Sequence, residues 1–239
     1  MDFYRWRKEA AAIFFPQLHC LYCGRPVFNQ PLCDECEQRR LELRSCPLCA
    51  NFIAISESDR YLCPECRAEH PSYQAAAAAM PYQEGIRKTL LAFKYHQQTG
   101  YRRPLAELML RTMREKWPRQ VFDAVVPVPL HTSRLQERGY NQAEMLSALI
   151  AAESGFAHQP QLLRRIRKTT PMVETTNRRR RKISPPVFAA DPAVAGKRIL
   201  LIDDIFTSGT TAENCTLALL EQQAAEVYLL AAAAGYALP

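Results

Sequence analysis

Eight of the nine cysteines fall in four Cys-x-x-Cys pairs: Cys20/Cys23, Cys33/Cys36, Cys46/Cys49 and Cys63/Cys66. Nothing else in the chain limits its folding so strongly. Two thiolates two residues apart grip one metal ion from a tight knuckle, and two knuckles complete a tetrahedron. Four knuckles therefore build two sites. Pairing them in sequence order closes shorter loops than interleaving them, which favours the sequential arrangement, although spacing by itself leaves both open. The opening stretch MDFYRWRKEAAAIFFPQLHC has a short apolar run from Ala10 to Phe15 and no small-residue cleavage site, so a cytosolic chain is expected. In a reducing compartment such pairs read as metal ligands rather than disulfides. All-thiolate ligation leaves no open position for water, which makes both sites structural. It suits zinc best, with an iron–sulfur cluster as the alternative. Gly24 follows the first knuckle where a turn often needs positive φ, and Ala50 holds the equivalent slot after the third. His19 and His70 flank the module as surface residues.

The segment 20–66 is poor in long apolar runs, so metal rather than core does the folding there. A boundary is expected where the cysteines stop, giving a module of two four-cysteine zinc sites over 1–72 and a second domain over 73–239. Beyond it, Ile86, Leu90 and Phe93 mark a helix starting near Gln83. Leu105, Leu108, Met109, Thr112 and Met113 mark another, closed at Trp117 and Pro118. DAVVPVPL (123–130) is a short β-branched run. Asn141 can cap a helix that carries Leu146, Leu149 and Ile150 inward. RILLIDD (198–204) reads as a buried strand, 210–223 as a helix with Ala212, Cys215, Leu219 and Leu220 on one side, and VYLLAAAA (227–234) as a last strand. The alanine run 75–79 fits either a helix or an opening strand. Strands alternating with helices imply an α/β domain with a mainly parallel sheet. No stretch approaches the roughly 18 apolar residues of a membrane span.

The net charge is +7, yet nine basic residues and one acid lie between Arg164 and Lys182. Basicity this local indicates a site or an arm. The run Arg178 to Lys182 reads equally as a phosphate or DNA-backbone contact and as a solvated loop.

ILLIDDIFTSGTT (199–211) carries the clearest chemistry. A buried strand delivers Asp203 and Asp204 to its carboxyl end, and a hydroxyl-rich loop with one glycine leads into a helix. Backbone N–H groups of such a loop and the helix dipole form an anion cradle. Gly209 permits close approach, and Thr207, Ser208, Thr210 and Thr211 add hydroxyl donors. Carboxylates beside it suit sugar hydroxyls or a magnesium shared with a diphosphate. A plain strand–turn–helix junction, with Thr210 and Glu213 as a capping box, would explain the loop but not the two adjacent acids.

IDDIFTSGTT resembles the phosphoribosyl diphosphate (PRPP) signature of type I phosphoribosyltransferases. Together with PVPLHTSRLQERGYNQAE (127–144), FKYH (93–96) and the cysteine array, it makes the chain resemble the ComF family of ComFC- and GntX-like proteins. The resemblance implies a zinc-ribbon-like N-terminal module joined to a type I phosphoribosyltransferase-like α/β domain, with helices on both faces of a mainly parallel sheet. It implies Asp203 and Asp204 on the ribose hydroxyls and Thr207, Ser208, Gly209, Thr210 and Thr211 on the 5′-phosphate. The Pro127–His131 turn, with Pro127, Val128 and Pro129 as the binding residues, would lie where this fold holds pyrophosphate, with magnesium, and Lys94, Arg134 and Arg138 flank these motifs as candidate ligand contacts. The family is associated with uptake of single-stranded DNA in transformation or with use of DNA as a nutrient. In the stretch TPMVETTNRRRRKISPPVFAA (170–190), Pro186 stands where the family carries glycine. Two readings follow. One is transfer of phosphoribose from PRPP to an acceptor. The other is a non-catalytic component, keeping the pocket, whose zinc module and basic segment engage single-stranded DNA or a DNA-translocating helicase.

Overall fold

The computed structural model describes residues 19–53, 62–95, 98–167 and 186–236. In chain order, helix α1 spans Asp34–Glu42, followed by the two-residue strands β1 (Arg44–Ser45) and β2 (Phe52–Ile53) and by helix α2 (Pro64–Ala68). Then come β3 (Ala75–Pro81), α3 (Glu84–Tyr95), α4 (Arg102–Lys116), β4 (Ala124–Pro127), α5 (Thr132–Arg138) and α6 (Gln142–Ser154). The hairpin β5 (Leu163–Arg165) and β6 (Phe188–Ala190) precedes β7 (Arg198–Phe206), α7 (Thr210–Glu221) and β8 (Glu226–Ala234).

The main sheet has four strands in the order β3-β8-β7-β4, every neighbouring pair parallel. Side chains alternate across it, as the two-residue period of a strand requires. Ala76, Ala78, Ala124, Val126, Ile199, Leu201, Leu229 and Ala231 face one apolar layer. Ala77, Ala79, Val125, Leu200, Ile202, Leu230 and Ala232 face the other. The first layer is covered by Ala212, Cys215 and Leu219 of α7 and by the β5–β6 hairpin. The second is covered by Ile86, Leu90 and Phe93 of α3, Leu105, Leu108 and Met109 of α4, and Leu146 and Ile150 of α6. Strands buried on both faces read as continuous apolar runs, which is why 199–202 and 227–234 lack polar alternation.

The alanine run resolves as strand β3, with Ala76 to Pro81 all buried. Alanine is the best helix former, but a pairing partner in β8 and cover on both faces outweigh a propensity of a few tenths of a kcal/mol per residue. The helix at 84–95 begins one residue after Gln83, and Trp117 is the C-cap of α4, as their periodicities predict. Asn141 caps α6, its side chain accepting a hydrogen bond from the Ala143 N–H. The capping box on α7 does not form. Gly209, at φ 75°, takes the N-cap position, which has no side-chain cap, and Glu213 turns to Ser72 instead. A left-handed residue there lets the loop turn sharply into the helix, which a threonine cap could not do cheaply.

The cysteine module docks on both layers of this sheet. Cys20 and Cys36 join the layer of α3 and α4, while Cys46, Cys49, Cys63 and Cys66 join the layer of α7. On the α3 side, the Thr89 hydroxyl donates to the Leu21 carbonyl at 2.7 Å, and Gly85 lies directly on Tyr22. Arg40 of α1 is buried and forms a bidentate pair with Glu115 of α4, at 2.6 and 2.9 Å, while Glu37 takes its other edge. On the opposite layer the Phe52 N–H donates to the Gly235 carbonyl, and the Ala76 N–H to the Pro47 carbonyl. No helix among the described residues is long and apolar enough to cross a membrane.

Candidate functional site

The eight knuckle cysteines gather into two groups, Cys20/Cys23/Cys33/Cys36 and Cys46/Cys49/Cys63/Cys66, with the four sulfurs of each within 4.8 Å of one another. This is the sequential pairing. Cys23 and Cys33 Sγ lie 3.6 Å apart, and Cys49 and Cys63 Sγ 3.5 Å. Thiolates bound tetrahedrally at the zinc–sulfur distance of about 2.3 Å sit about 3.8 Å from each other, whereas disulfide sulfurs would be about 2 Å apart. The donor sets therefore fit a four-coordinate metal. Gly24 and Ala50 both adopt left-handed φ, at 74° and 59°, so the knuckle turns are alike in the two sets. Their settings differ: Cys23 of the first set is exposed, whereas all four of the second are buried.

The sheet places a second site away from the knuckles. After β4 the chain moves to the α6 layer; after β7 it moves to the α7 layer. Two adjacent parallel strands whose following helices diverge open a crevice at their carboxyl ends. A cleft of about 310 Å³ opens there, lined by residues that follow β4 and residues that end β7. Of the residues singled out from sequence, Lys94, Val128, Pro129, Arg134, Arg138, Asp203, Asp204, Thr207 and Thr211 line it. Pro127 stays inside β4, paired in register with Ile202, and Ser208, Gly209 and Thr210 complete the loop without forming the wall. The Ser208 and Thr210 hydroxyls lie 3.1 Å apart, bonded to each other.

The two acids occupy unlike surroundings. Asp204 is buried, and its Oδ2 forms an ion pair with Lys94 Nζ at 3.3 Å without an aligned hydrogen bond. Asp203 Oδ1 accepts the Asp204 N–H at 2.8 Å. Burial, together with the charge of Asp204, pushes the Asp203 carboxyl well above the usual carboxylate range, with Lys94 opposing. A site that holds two neighbouring carboxylates in this way favours a ligand that supplies donors or a cation to both.

The two separated motif segments, 93–96 and 127–144, meet beside the acids. Tyr140 OH donates to the Phe93 carbonyl, Gln142 Nε2 to the Lys94 carbonyl at 3.3 Å, and Arg138 Nη2 to Tyr95 OH at 3.2 Å. The Arg138 guanidinium also stacks 4.9 Å from the Tyr95 ring centre. Asn141 is a cap and more: its Nδ2 donates to the Val128 carbonyl at 3.1 Å, fixing the turn after β4. Residue 96 lies outside the described residues, as does 168–185, which contains the Arg178 to Lys182 run.

Sequence reasoning missed Tyr82 in the lining and gave Gln142, Ala143, Ile205 and Arg165 no individual role, while Leu130 belongs to the 127–131 turn expected at the diphosphate. Arg165 lies over the Phe188 ring, and burial and the charge of Arg134 lower the pKa of its guanidinium. Its one sequence signal was membership of the basic segment. Cys215 is fully buried against α7's layer, as packing predicts.

No protein-family profile matches the chain. Among curated proteins, the DNA utilization protein YhgH of Salmonella typhimurium is 26% identical over 214 residues, covering 87% of this chain and 93% of that one. Competence protein F of Haemophilus influenzae is 24% identical, over 82% of this chain and 88% of its own length. Competence protein ComFC of Bacillus subtilis is 26% identical, over 85% and 72%. Among solved structures, the glutamine PRPP amidotransferase of B. subtilis aligns with a TM-score of 0.37 at 16% identity, over 72% of this chain and 33% of that chain. The adenine phosphoribosyltransferase of Saccharomyces cerevisiae aligns with a TM-score of 0.37 at 17% identity, over 60% and 82%. These relatives, all named for competence or DNA utilisation, match the chain over 82–87% of its length, and that breadth of similarity supports the ComF family as the one the chain resembles.

Proposed function

We propose that the cleft binds PRPP with magnesium and that the protein serves DNA uptake or DNA utilisation, the roles its relatives' names carry. One observation supports the ligand above the others: Asp203 and Asp204 end a central parallel strand inside a cleft, immediately before a hydroxyl-rich loop that opens a twelve-residue helix. In this reading the two carboxylates accept hydrogen bonds from the ribose hydroxyls. The N–H and hydroxyl groups of 207–211 hold the 5′-phosphate at the positive end of the α7 dipole. The turn at 127–131, flanked by Lys94 and Arg138, receives the diphosphate.

The cleft fits magnesium as well as sugar. Asp204 Oδ2 is buried without a hydrogen bond, and two adjacent carboxylates are the hard oxygen donors that ion prefers. Bound with the diphosphate, magnesium would neutralise charge on it. The chain's own residues supply the rest. Asn141 and Gln142 hold the β4 turn and the end of α3 in place, and Arg138 and Lys94 set cations beside the leaving group. In a transfer reaction the bond from the anomeric carbon to the diphosphate breaks, its electron pair leaving on oxygen, while an acceptor lone pair forms the new bond. Zinc would occupy both cysteine sets, holding the module closed rather than joining that chemistry.

Calorimetric titration of magnesium–PRPP into zinc-loaded protein tests the pocket, alongside an Asp203→Asn/Asp204→Asn variant. Saturable binding by the wild type and none by the folded variant is expected. Absence of binding to the wild type would overturn the reading. Pyrophosphate release that depends on an added acceptor would extend binding to turnover.

A further inference from the structure

Three contacts converge on the loop that follows Asp204, and all three come from the neighbourhood of one cysteine set. Phe52, in β2 between Cys49 and Cys63, donates its N–H to the Gly235 carbonyl at 2.9 Å, and the Gly235 N–H donates to the Phe206 carbonyl at 3.0 Å. Tyr73, just past the last knuckle, is buried with its ring edge-on to Phe206, 6.2 Å between centres. Ser72 donates its N–H to both carboxylate oxygens of Glu213 at 3.2 Å and its hydroxyl to one of them. Phe206 is the residue before the loop, and Glu213 lies in the first turn of α7, its N–H bonded to the Gly209 carbonyl at 2.8 Å. Both ends of 207–211 are thus tied to the segment carrying Cys46, Cys49, Cys63 and Cys66. The first cysteine set is tied elsewhere, through Leu21 and Tyr22 to the early turns of α3 and through Arg40 to the end of α4.

We infer that the second cysteine set, acting through Ser72 and Glu213, positions the 207–211 loop, so that its metal occupancy and the loop's ligand competence are one coupled equilibrium. The first set takes no part in that coupling. Neither Ser72 nor Glu213 lines the cleft, so Glu213 is a positioning residue whose carboxylate trades the usual capping role for a clamp across 141 residues of chain. Linkage makes the effect reciprocal: whatever the loop binds must tighten metal binding at the second set by the same factor by which the metal strengthens that binding. The inference rests on reading 207–211 as the phosphate loop, but its first test needs no phosphoribosyl ligand.

The test is hydrogen exchange of the full, metal-loaded chain, followed through graded chelation, with the emptied set identified by which cysteines become alkylated. Emptying the second set should raise exchange across 206–213 about tenfold, the worth of one charge-assisted hydrogen bond, while α6 stays protected. Emptying the first set should leave 206–213 unchanged. Glu213→Gln, retaining both metals, should reproduce the rise without chelation, and Ser72→Ala should do so partly. Equal responses to both sets, no response to Glu213→Gln, or a rise that extends into α6 would each overturn the coupling. In a second arm, magnesium–PRPP should raise the chelator concentration that empties the second set at equilibrium in the wild type and not in Glu213→Gln. Exchange coupling without PRPP protection would refute the PRPP reading and leave the coupling standing. PRPP binding without exchange coupling would do the reverse.

Discussion

Gly85 is the position where helix propensity and packing give opposite answers. It lies in the first turn of α3, and replacing an interior helical glycine by alanine ordinarily stabilises a protein by about 1 kcal/mol. Here a Cβ would stand 2.2 Å from the Tyr22 carbonyl oxygen and 3.0 Å from its carbonyl carbon, both backbone atoms of the first knuckle. A side chain can rotate away from such a contact; a knuckle held by Cys20 and Cys23 cannot. Relief requires α3 or the knuckle to move by about 1 Å, and forced overpacking of this kind costs about 1–3 kcal/mol. The same shift stretches the buried Thr89–Leu21 hydrogen bond, worth about 1 kcal/mol more. Setting these against the propensity gain leaves Gly85→Ala destabilised by about 1–3 kcal/mol, a fall in Tm of several degrees for a chain of this size. Gly100→Ala is the control, because nothing lies within 4 Å of the added atom, and it should be neutral or slightly stabilising. Thermal melts read by circular dichroism, with metal content measured on the same samples, decide the matter. A Gly85→Ala protein as stable as wild type or more so, with two metals bound, would refute the close docking of knuckle on helix.

Arg40→Met should cost about 2 kcal/mol in urea denaturation, less than a fully buried pair would, since Glu115 remains partly in water; no loss would show the pair to be energetically neutral. Asn141→Ala should remove both the α6 cap and the donor to the Val128 carbonyl, costing about 1–2 kcal/mol and weakening cleft ligands beyond that loss; an unchanged cleft affinity would argue against its hold on the β4 turn. His158 bonds Ser147 at 2.9 Å, and burial lowers its pKa, with Glu144 opposing. The neutral ring therefore contributes stability that is present above the ordinary imidazole range near pH 6.5 and is lost as pH falls through the folded value. His158→Gln should flatten the stability profile as pH falls below about 6.5, and an unaltered slope would place the transition in other groups.

Local patterns and long-range placement were not equally legible. Knuckle spacing is a local property, so the two metal groups and the left-handed turns at Gly24 and Ala50 follow from sequence. The strand ending in Asp203 and Asp204 is equally local, an apolar run with acids at its carboxyl end. Lining residues such as Tyr82 and Gln142 enter the cleft because β3 ends near it and because Gln142 braces the end of α3, relations no periodicity encodes. Glu213 shows the limit clearly. Three residues after Thr210 it carries the pattern of a capping box, yet Gly209 takes the cap and a distant serine takes the carboxylate. The alanine run was ambiguous for the same reason: its conformation is decided by β8, far along the chain.

The strand order has a consequence for the chain as it leaves the ribosome. β8 is made after β3, β4 and β7, and it lies between β3 and β7; among the described residues it is the strand that joins β3 to the rest of the sheet. Until about residue 234 has emerged, β3 lacks that strand partner, and the Gly235 link from Phe52 to the loop does not exist. At typical elongation rates of roughly 5–20 residues per second, β3 waits about 8–30 seconds for its neighbour. A nascent chain stalled before β8 would thus present a bare, alanine-rich strand edge. Such an edge is open to chaperones and proteases, and metal capture by the knuckles would precede completion of the sheet on which they finally rest.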